Sequence, residues 1–206
     1  MIEALARASR RPVSRETLDR LQLYVGLLKA ANEEQNLVSA TTMGAVWERH
    51  ILDSAQLVRF ESRPSASWVD IGTGAGLPGI VIAALTHGPV TLVEPRRLRA
   101  EFLIETVRQL GLADRVTIAA VKIEHMSGSF DMITARAVAP LARLLGIAHH
   151  LAHRGTVWAL PKGKTAQSEL AEARRSWQCE ALSETSCTDP SARILLLSKV
   201  KAKSAR

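Results

Sequence analysis

The sequence predicts an α/β domain: a mostly parallel sheet with helices on both faces, an antiparallel hairpin at one edge and a helical cap before the first strand. Three observations carry this reading. From Trp68 onward, short β-rich runs alternate with helical stretches. The last two β-rich runs are joined by a polar loop containing Asp189-Pro190, with no helix between them, so they pair antiparallel. Residues 14 to 60, by contrast, are helical in pattern.

The elements follow in order. Met1 to Pro12 is interrupted by Glu3, Arg7, Arg10 and Arg11, and so lacks the apolar stretch of a signal peptide. Ser14 can cap a helix with Glu16 in its first turn, and Leu18, Leu21, Val25 and Leu28 recur at helical spacing. Asn36 to Thr42 reads as a connection, and a second helix runs through Val46, Ile51 and Leu57. Arg63-Pro64-Ser65-Ala66-Ser67 is a linker. It divides a helical extension, 1–62, from the α/β domain, 63–206, the two forming one compact unit. Trp68, Val69 and Ile71 make a buried strand, and Leu77 opens a helix through Ile80 to Leu85 with Pro78 in its first turn. Further strands are expected at Val90–Glu94, Arg115–Ala119, Phe130–Ala135, Thr156–Leu160, Trp177–Leu182 and Arg193–Val200. The intervening helices are Arg96–Leu110, ended by Gly111, then Leu141–Leu151 and Thr165–Ser176.

Composition bounds the class. The chain has 206 residues, 47% of them apolar and 23% charged, ordinary values for a globular protein. Its net charge of +7 is compatible with a polyanionic partner without proving one. No apolar run approaches the length of a membrane span. Cys179 and Cys187 have no metal-type spacing and read as free thiols in a reducing compartment, which predicts a cytoplasmic protein with no metal and no membrane partner.

The stretch from Trp68 to Gly79 is the most informative. Gly72, Gly74 and Gly76 strip the turn after the strand of side chains, so that its backbone amides can press against a ligand. Strand, bare turn and helix start are how a nucleotide-like cofactor is held. The pattern Gly74-Ala75-Gly76-Leu77-Pro78-Gly79 also satisfies a dinucleotide fingerprint, and Glu94 lies where a ribose-binding acid would sit. Asp70, inside the strand, favours S-adenosyl-L-methionine (SAM), because a carboxylate there could meet an ammonium but would repel a pyrophosphate. A nicotinamide-dependent reductase remains the rival reading, although a reductase needs a substrate domain for which the helical residues are scant. A tight turn with no ligand is the bland alternative.

Other candidates lie at strand ends. Glu94 could accept from two ribose hydroxyls, or simply favour a helix N-terminus. Ile123 could cover an adenine, with Glu124 reaching polar edges, although an acid there is ordinarily solvated. Arg136 closes an otherwise apolar strand and points into the crevice, unless it serves a structural ion pair. Arg49, His50, Asp53 and Ser54 gather within six residues, which by spacing alone is an ordinary polar helix surface. Lys162-Gly163-Lys164 follows the fifth strand but lacks the upstream glycine of a P-loop. His149 and His153 are i, i+4 on a helix that Gly155 would end, without the acid of a zinc motif. Arg96, Arg97, Arg99, Arg174, Arg175 and the tail residues Lys199, Lys201, Lys203 and Arg206 could contact phosphates or merely be solvated.

Taken together, Asn36-Leu37-Val38-Ser39, Arg49-His50-Ile51-Leu52-Asp53-Ser54, Asp70 to Gly79, Ala135 to Leu141 and Lys162-Gly163 resemble the bacterial 16S rRNA (guanine-N7) methyltransferases, the glucose-inhibited division protein B family. The resemblance runs from about Asn36 to Val200. It implies the Rossmann-like, seven-stranded SAM-dependent methyltransferase fold and methylation of N7 of a guanine in the 530 loop of 16S rRNA. Carried over by motif, cofactor contacts fall on Gly72, Leu77, Ile123, Glu124 and Arg136, with Asp70, Gly74 and Glu94 completing the cofactor side. Arg136 and Lys162 would position the base or its phosphate as catalytic residues, and Arg49, His50, Asp53 and Lys162 would line the RNA side. The partner implied is 16S rRNA within the small ribosomal subunit or an assembly intermediate, met by a monomer. Two departures from the family pattern touch RNA contacts: Leu98 precedes Arg99 where Lys-Arg is usual, and Ala135 stands where Ser is common. A non-catalytic RNA-binding assembly factor is the reading from another class.

Overall fold

Strand β1 (Trp68–Ile71) is buried at all of its positions because it lies inside a sheet covered on both faces. The computed structural model describes residues 1–203; the tail residue Arg206 lies outside them. The remaining strands are β2 (Val90–Val93), β3 (Val116–Ala119), β4 (Phe130–Ala135), β5 (Ala152–Lys162), β6 (Trp177–Thr185) and β7 (Arg193–Ala202). They form one seven-stranded sheet in the order β3-β2-β1-β4-β5-β7-β6. β1 to β5 run parallel, and β7 pairs antiparallel with both β5 and β6. The terminal hairpin and the mostly parallel sheet therefore stand as the sequence predicts.

Among the described residues, eight α-helices flank or precede the sheet: α1 (Ile2–Ser9), α2 (Arg15–Gln35), α3 (Ala40–Met43), α4 (Asp53–Ala55), α5 (Gly79–Leu85), α6 (Arg97–Gln109), α7 (Leu141–Ala148) and α8 (Ala166–Ser176). Alternation along β1 sorts its side chains to opposite faces. Trp68 joins a core that includes Leu5, Leu21, Tyr24, Leu57, Ile80 and Leu92. Val69 and Ile71 join the other, with Ile133, Leu145, Trp158 and Leu160. Fully burying a Leu or Ile contributes roughly 1.5–3 kcal/mol, so the helices before β1 are held by the same core as the sheet rather than tethered beside it.

Several boundaries differ from expectation. Helix α1 lies where the sequence pattern shows only interrupting charges, because those charges mask an apolar face that buries Leu5 and Ala8. Helix α5 starts at Gly79, not Leu77, and Pro78 occupies the capping position before it. The helix expected through Val46, Ile51 and Leu57 is instead three windings in succession: a π-helical turn, Trp47–Leu52, then α4, then a 3-10 turn, Gln56–Phe60. The helix expected over Leu141–Leu151 ends early in a 3-10 turn, His149–Leu151, and β5 begins at Ala152. Gly155 thus sits within a strand instead of terminating a helix.

Candidate active site

The order of the sheet reverses between β1 and β4, which opens a crevice at their C-terminal ends. The glycine turn leaves β1 on one side of this crevice and Arg136 leaves β4 on the other. Gly72 and Gly76 hold φ of 63° and 95°, a region in which a Cβ is strained. At Gly72 the space is taken as well: a Cβ would lie 2.8 Å from Val138 Cγ2.

The amides of the turn are largely committed to its own architecture. Thr73 N donates to Val93 O, Gly76 N and Leu77 N both donate to Thr73 O, Gly74 N donates to Glu94 Oε2 at 3.1 Å, and Gly79 N donates to Asp70 Oδ2 at 2.8 Å. Gly72 N and Ala75 N have no such partner among the described residues, so the turn offers bare Cα surface and two open amides while its other donors fix its shape.

Asp70 lies beneath the turn. It is 1% exposed; Oδ2 accepts from Thr73 Oγ1 and Gly79 N, while Oδ1 has no partner among the described residues. Burial pushes its carboxyl up to about 7, against the hydrogen bonds from Thr73 and Gly79, which lower it. Glu94, 4% exposed, braces the turn from the next strand, with Oε1 accepting from Arg96 N at 2.9 Å. Leu77 is packed into the core, so only its backbone can face the crevice. Ile123 and Glu124 sit in a 3-10 turn after β3, where Ile123 is buried against the sheet and Glu124 is exposed.

A cavity of about 730 Å³ opens at the same edge and gathers Arg49, His50, Asp53, Arg136, Lys162 and Gly163. Val138, the residue over Gly72, also lines it, so the cavity adjoins the glycine turn. The Arg49 to Ser54 group is not a solvated surface: His50 is 7% exposed and Ser54 is 1% exposed. A π-helical winding shifts the angular spacing of side chains and recurs at functional sites. Here Arg49 reaches Asp189 at 3.5 Å while His50 turns inward. Arg136 Nη1 donates to His50 Nδ1 at 3.1 Å and lies 3.9 Å from Asp53 Oδ2. Burial first, and then the Arg136 and Arg49 guanidinium groups, lower the His50 imidazole to about 4. Lys162 is engaged as well: Nζ donates to Glu169 Oε2 at 2.8 Å and to Ala139 O at 3.2 Å, pinning the segment after β4.

Some contributors were invisible in the sequence. Tyr24 reaches from α2 to donate to Ala75 O at 2.9 Å, tying the helical cap to the glycine turn. The β6–β7 connection forms a wall of the cavity through Ser186, Thr188 and Asp189. Gln56 Nε2 donates to Ser186 Oγ, Cys187 N donates to Gln56 Oε1, and Thr188 Oγ1 donates to Asp53 Oδ1, each at 2.9 Å. These pairs are more than 120 residues apart in sequence, and no local motif announces them.

A family model described as rRNA small subunit methyltransferase G matches residues 17–195. The chain belongs to this family. Ribosomal RNA small subunit methyltransferase G of Rhizorhabdus wittichii is 44% identical over 92% of this chain and 88% of its own length. Its namesake in Zymomonas mobilis is 42% identical over 93% and 90%. Among solved structures, ribosomal protein L11 methylase from Lactobacillus delbrueckii superposes with a TM-score of 0.57 at 18% identity, covering 72% of this chain and 79% of that one. P. horikoshii TYW2 in complex with MeSAdo gives 0.55 at 16% identity, over 76% and 63%. These likenesses show the methyltransferase fold, which the sheet order displays here, and this chain is a methyltransferase by family.

Proposed function

We propose that this protein transfers a methyl group from SAM to N7 of a guanine in the 530 loop of 16S rRNA, in the small ribosomal subunit or an assembly intermediate in the cytoplasm. One observation carries the reading: a glycine-rich turn adjoins, through Val138, a cavity that contains a half-buried arginine, a neutral histidine and an ion-paired lysine.

The residues fit such a cofactor. Each Glu94 oxygen, having taken one backbone donor, keeps a lone pair for a ribose hydroxyl. Ile123 offers apolar cover for a base, and Asp70, with its unpartnered Oδ1, places a carboxyl behind the turn. When bound, SAM supplies an electrophilic methyl on a sulfonium. Guanine N7 carries an in-plane lone pair and is unprotonated near neutral pH, so its attack needs no general base. The chain's task is then alignment and exclusion of water. Arg136, held by His50 and Asp53, presents a fixed guanidinium to the acceptor, and Arg49 stands at the rim to meet phosphate. Lys162 acts through the segment it anchors, and the helical extension 1–62 supplies one side of the cavity.

The test is twofold. Purified protein with methyl-labelled SAM and 16S rRNA or small subunits should yield N7-methylguanosine, and rRNA from cells lacking the protein should lack that one modification. Label appearing at another atom, or an unchanged rRNA map, would overturn the proposal.

A further inference from the structure

A second cavity, of about 590 Å³, lies at the opposite end of β5. Its lining includes His149, His153, Arg154, Lys199 and Lys201, and no carboxylate among the described residues. Two of these side chains already face an acid: Lys199 Nζ pairs with Glu180 at 2.8 Å, and His153 Nε2 lies 3.5 Å from Asp131. Arg154 and Lys201 are exposed and meet no acid within ion-pair distance among the described residues.

The backbone is shaped to gather these charges. β7 carries an extra residue against β6 between the pairs Gln178↔Lys201 and Glu180↔Ser198. Such bulges re-aim side chains. Lys199, at the bulge, holds φ 51°, a left-handed conformation uncommon for a non-glycine residue and costing about 1 kcal/mol or more. The bulge lets Lys199, Val200 and Lys201 all line one cavity, which strict alternation would prevent. His149 closes the floor, its Nε2 donating to Val200 O at 3.1 Å, with its ring against Trp177 at 5.1 Å between centroids. Arg154 and Lys201 are thus uncompensated cations gathered beside Lys199 by a strained backbone.

We infer that this cavity binds phosphodiester groups of the RNA at a second point, distant from the methylated nucleotide. β5 begins at this cavity and ends at the active-site cavity, which Pro161 and Lys162 line. Its eleven residues span about 33 Å at ~3.3 Å per residue. Only an RNA larger than the acceptor loop reaches both sites, so the second one supplies affinity for a folded substrate and takes no part in methyl transfer. The inference rests on the RNA substrate proposed above.

The test uses the full chain carrying Arg154→Gln and Lys201→Gln together. Binding to 16S rRNA should weaken about 10-fold at fixed salt, and the slope of log Kd against log salt should fall by ~1.5, as two lost phosphate contacts require. SAM affinity, melting temperature and the rate at saturating RNA should stay as in the unmodified protein, and the Arg154→Lys, Lys201→Arg pair should restore binding. Equal Kd and slope in the double Gln variant would overturn the inference, while an unmodified protein that neither binds nor methylates rRNA would overturn the functional proposal instead. A defect seen with small subunits but not with protein-free rRNA would assign the cavity to an acidic protein surface and overturn the RNA assignment.

Discussion

Arg136 and His50 are joined by a single hydrogen bond that fixes the state of both. Because the guanidinium can only donate, His50 Nδ1 must accept, leaving the ring proton on Nε2, 3.0 Å from Thr42 Oγ1. The imidazole is thereby kept neutral beside a permanent cation, and the cation is held at the wall of the cavity.

His50→Ala should leave Arg136 without its acceptor and lower kcat/KM for methylation about 10- to 100-fold, the equivalent of ~1.5–3 kcal/mol for a hydrogen bond to a charged group. His50→Asn, whose amide oxygen can stand in for Nδ1, should recover most of that loss. The sign of the pH effect also follows. Because the imidazole sits at about 4, below its ordinary 6.5, its contribution to stability is present above 6.5 and lost as pH falls toward 4. An NMR titration should find the ring neutral above pH ~5, with the midpoint rising in Arg136→Gln; a midpoint near 6.5 in the unmodified protein would end this account.

Tyr24→Phe keeps the packing and removes only the hydroxyl that donates to Ala75 O. Its ordinary ionisation is already suppressed, since burial raises it far above the usual phenol value. The loss should be about 1 kcal/mol of stability, together with a several-fold weaker SAM affinity by calorimetry. Unchanged SAM affinity would show that the cap does not steady the glycine turn.

Asp70 works in the opposite pH direction from His50. Its carboxyl, raised from 3.8 to about 7, binds a proton more tightly in the folded chain, so its contribution declines as pH rises between those values, at ~1.4 kcal/mol per unit. Urea unfolding of the unmodified protein and Asp70→Asn across pH 4.5 to 7.5 isolates this group. The difference in stability should tilt in favour of the variant toward neutral pH, and parallel curves would refute it.

Lys162 and Glu169 form a pair only 10% and 21% exposed. If Lys162 acts by anchoring the segment after β4, a double-mutant cycle with Lys162→Met and Glu169→Gln should show coupling of ~1–2 kcal/mol. Methylation should then fall in both single variants. A Lys162→Met defect that Glu169→Gln does not share would indicate a direct role for the lysine at the acceptor.

The parts of the site legible in the sequence are those written in short-range pattern. Gly72 to Gly79 follow an apolar strand, and Glu94 ends the next one, so their adjacency follows from parallel pairing of β1 and β2. His50 was harder: its i, i+4 neighbours suggested a solvated helix, and only π winding and the approach of Arg136 from 86 residues away bury it. Helix α1 and the true start of β5 were obscured because charged side chains at exposed positions hid an apolar face and a strand start. Tyr24 and the β6–β7 wall were unreadable, since tertiary contacts across dozens of residues leave no periodicity behind them.

The wall built by Ser186, Thr188 and Asp189 against Asp53 and Gln56 also sets an order in time. Chains are made from the N-terminus, and domains fold as their parts emerge. Arg49, His50 and Arg136 are synthesised at least 50 residues before the wall that begins at Ser186. Until the final hairpin leaves the ribosome, the acceptor cavity does not exist. The nascent chain therefore carries Arg49, His50 and Arg136 before the cavity they line is closed, and the cavity is complete only once the final hairpin has folded.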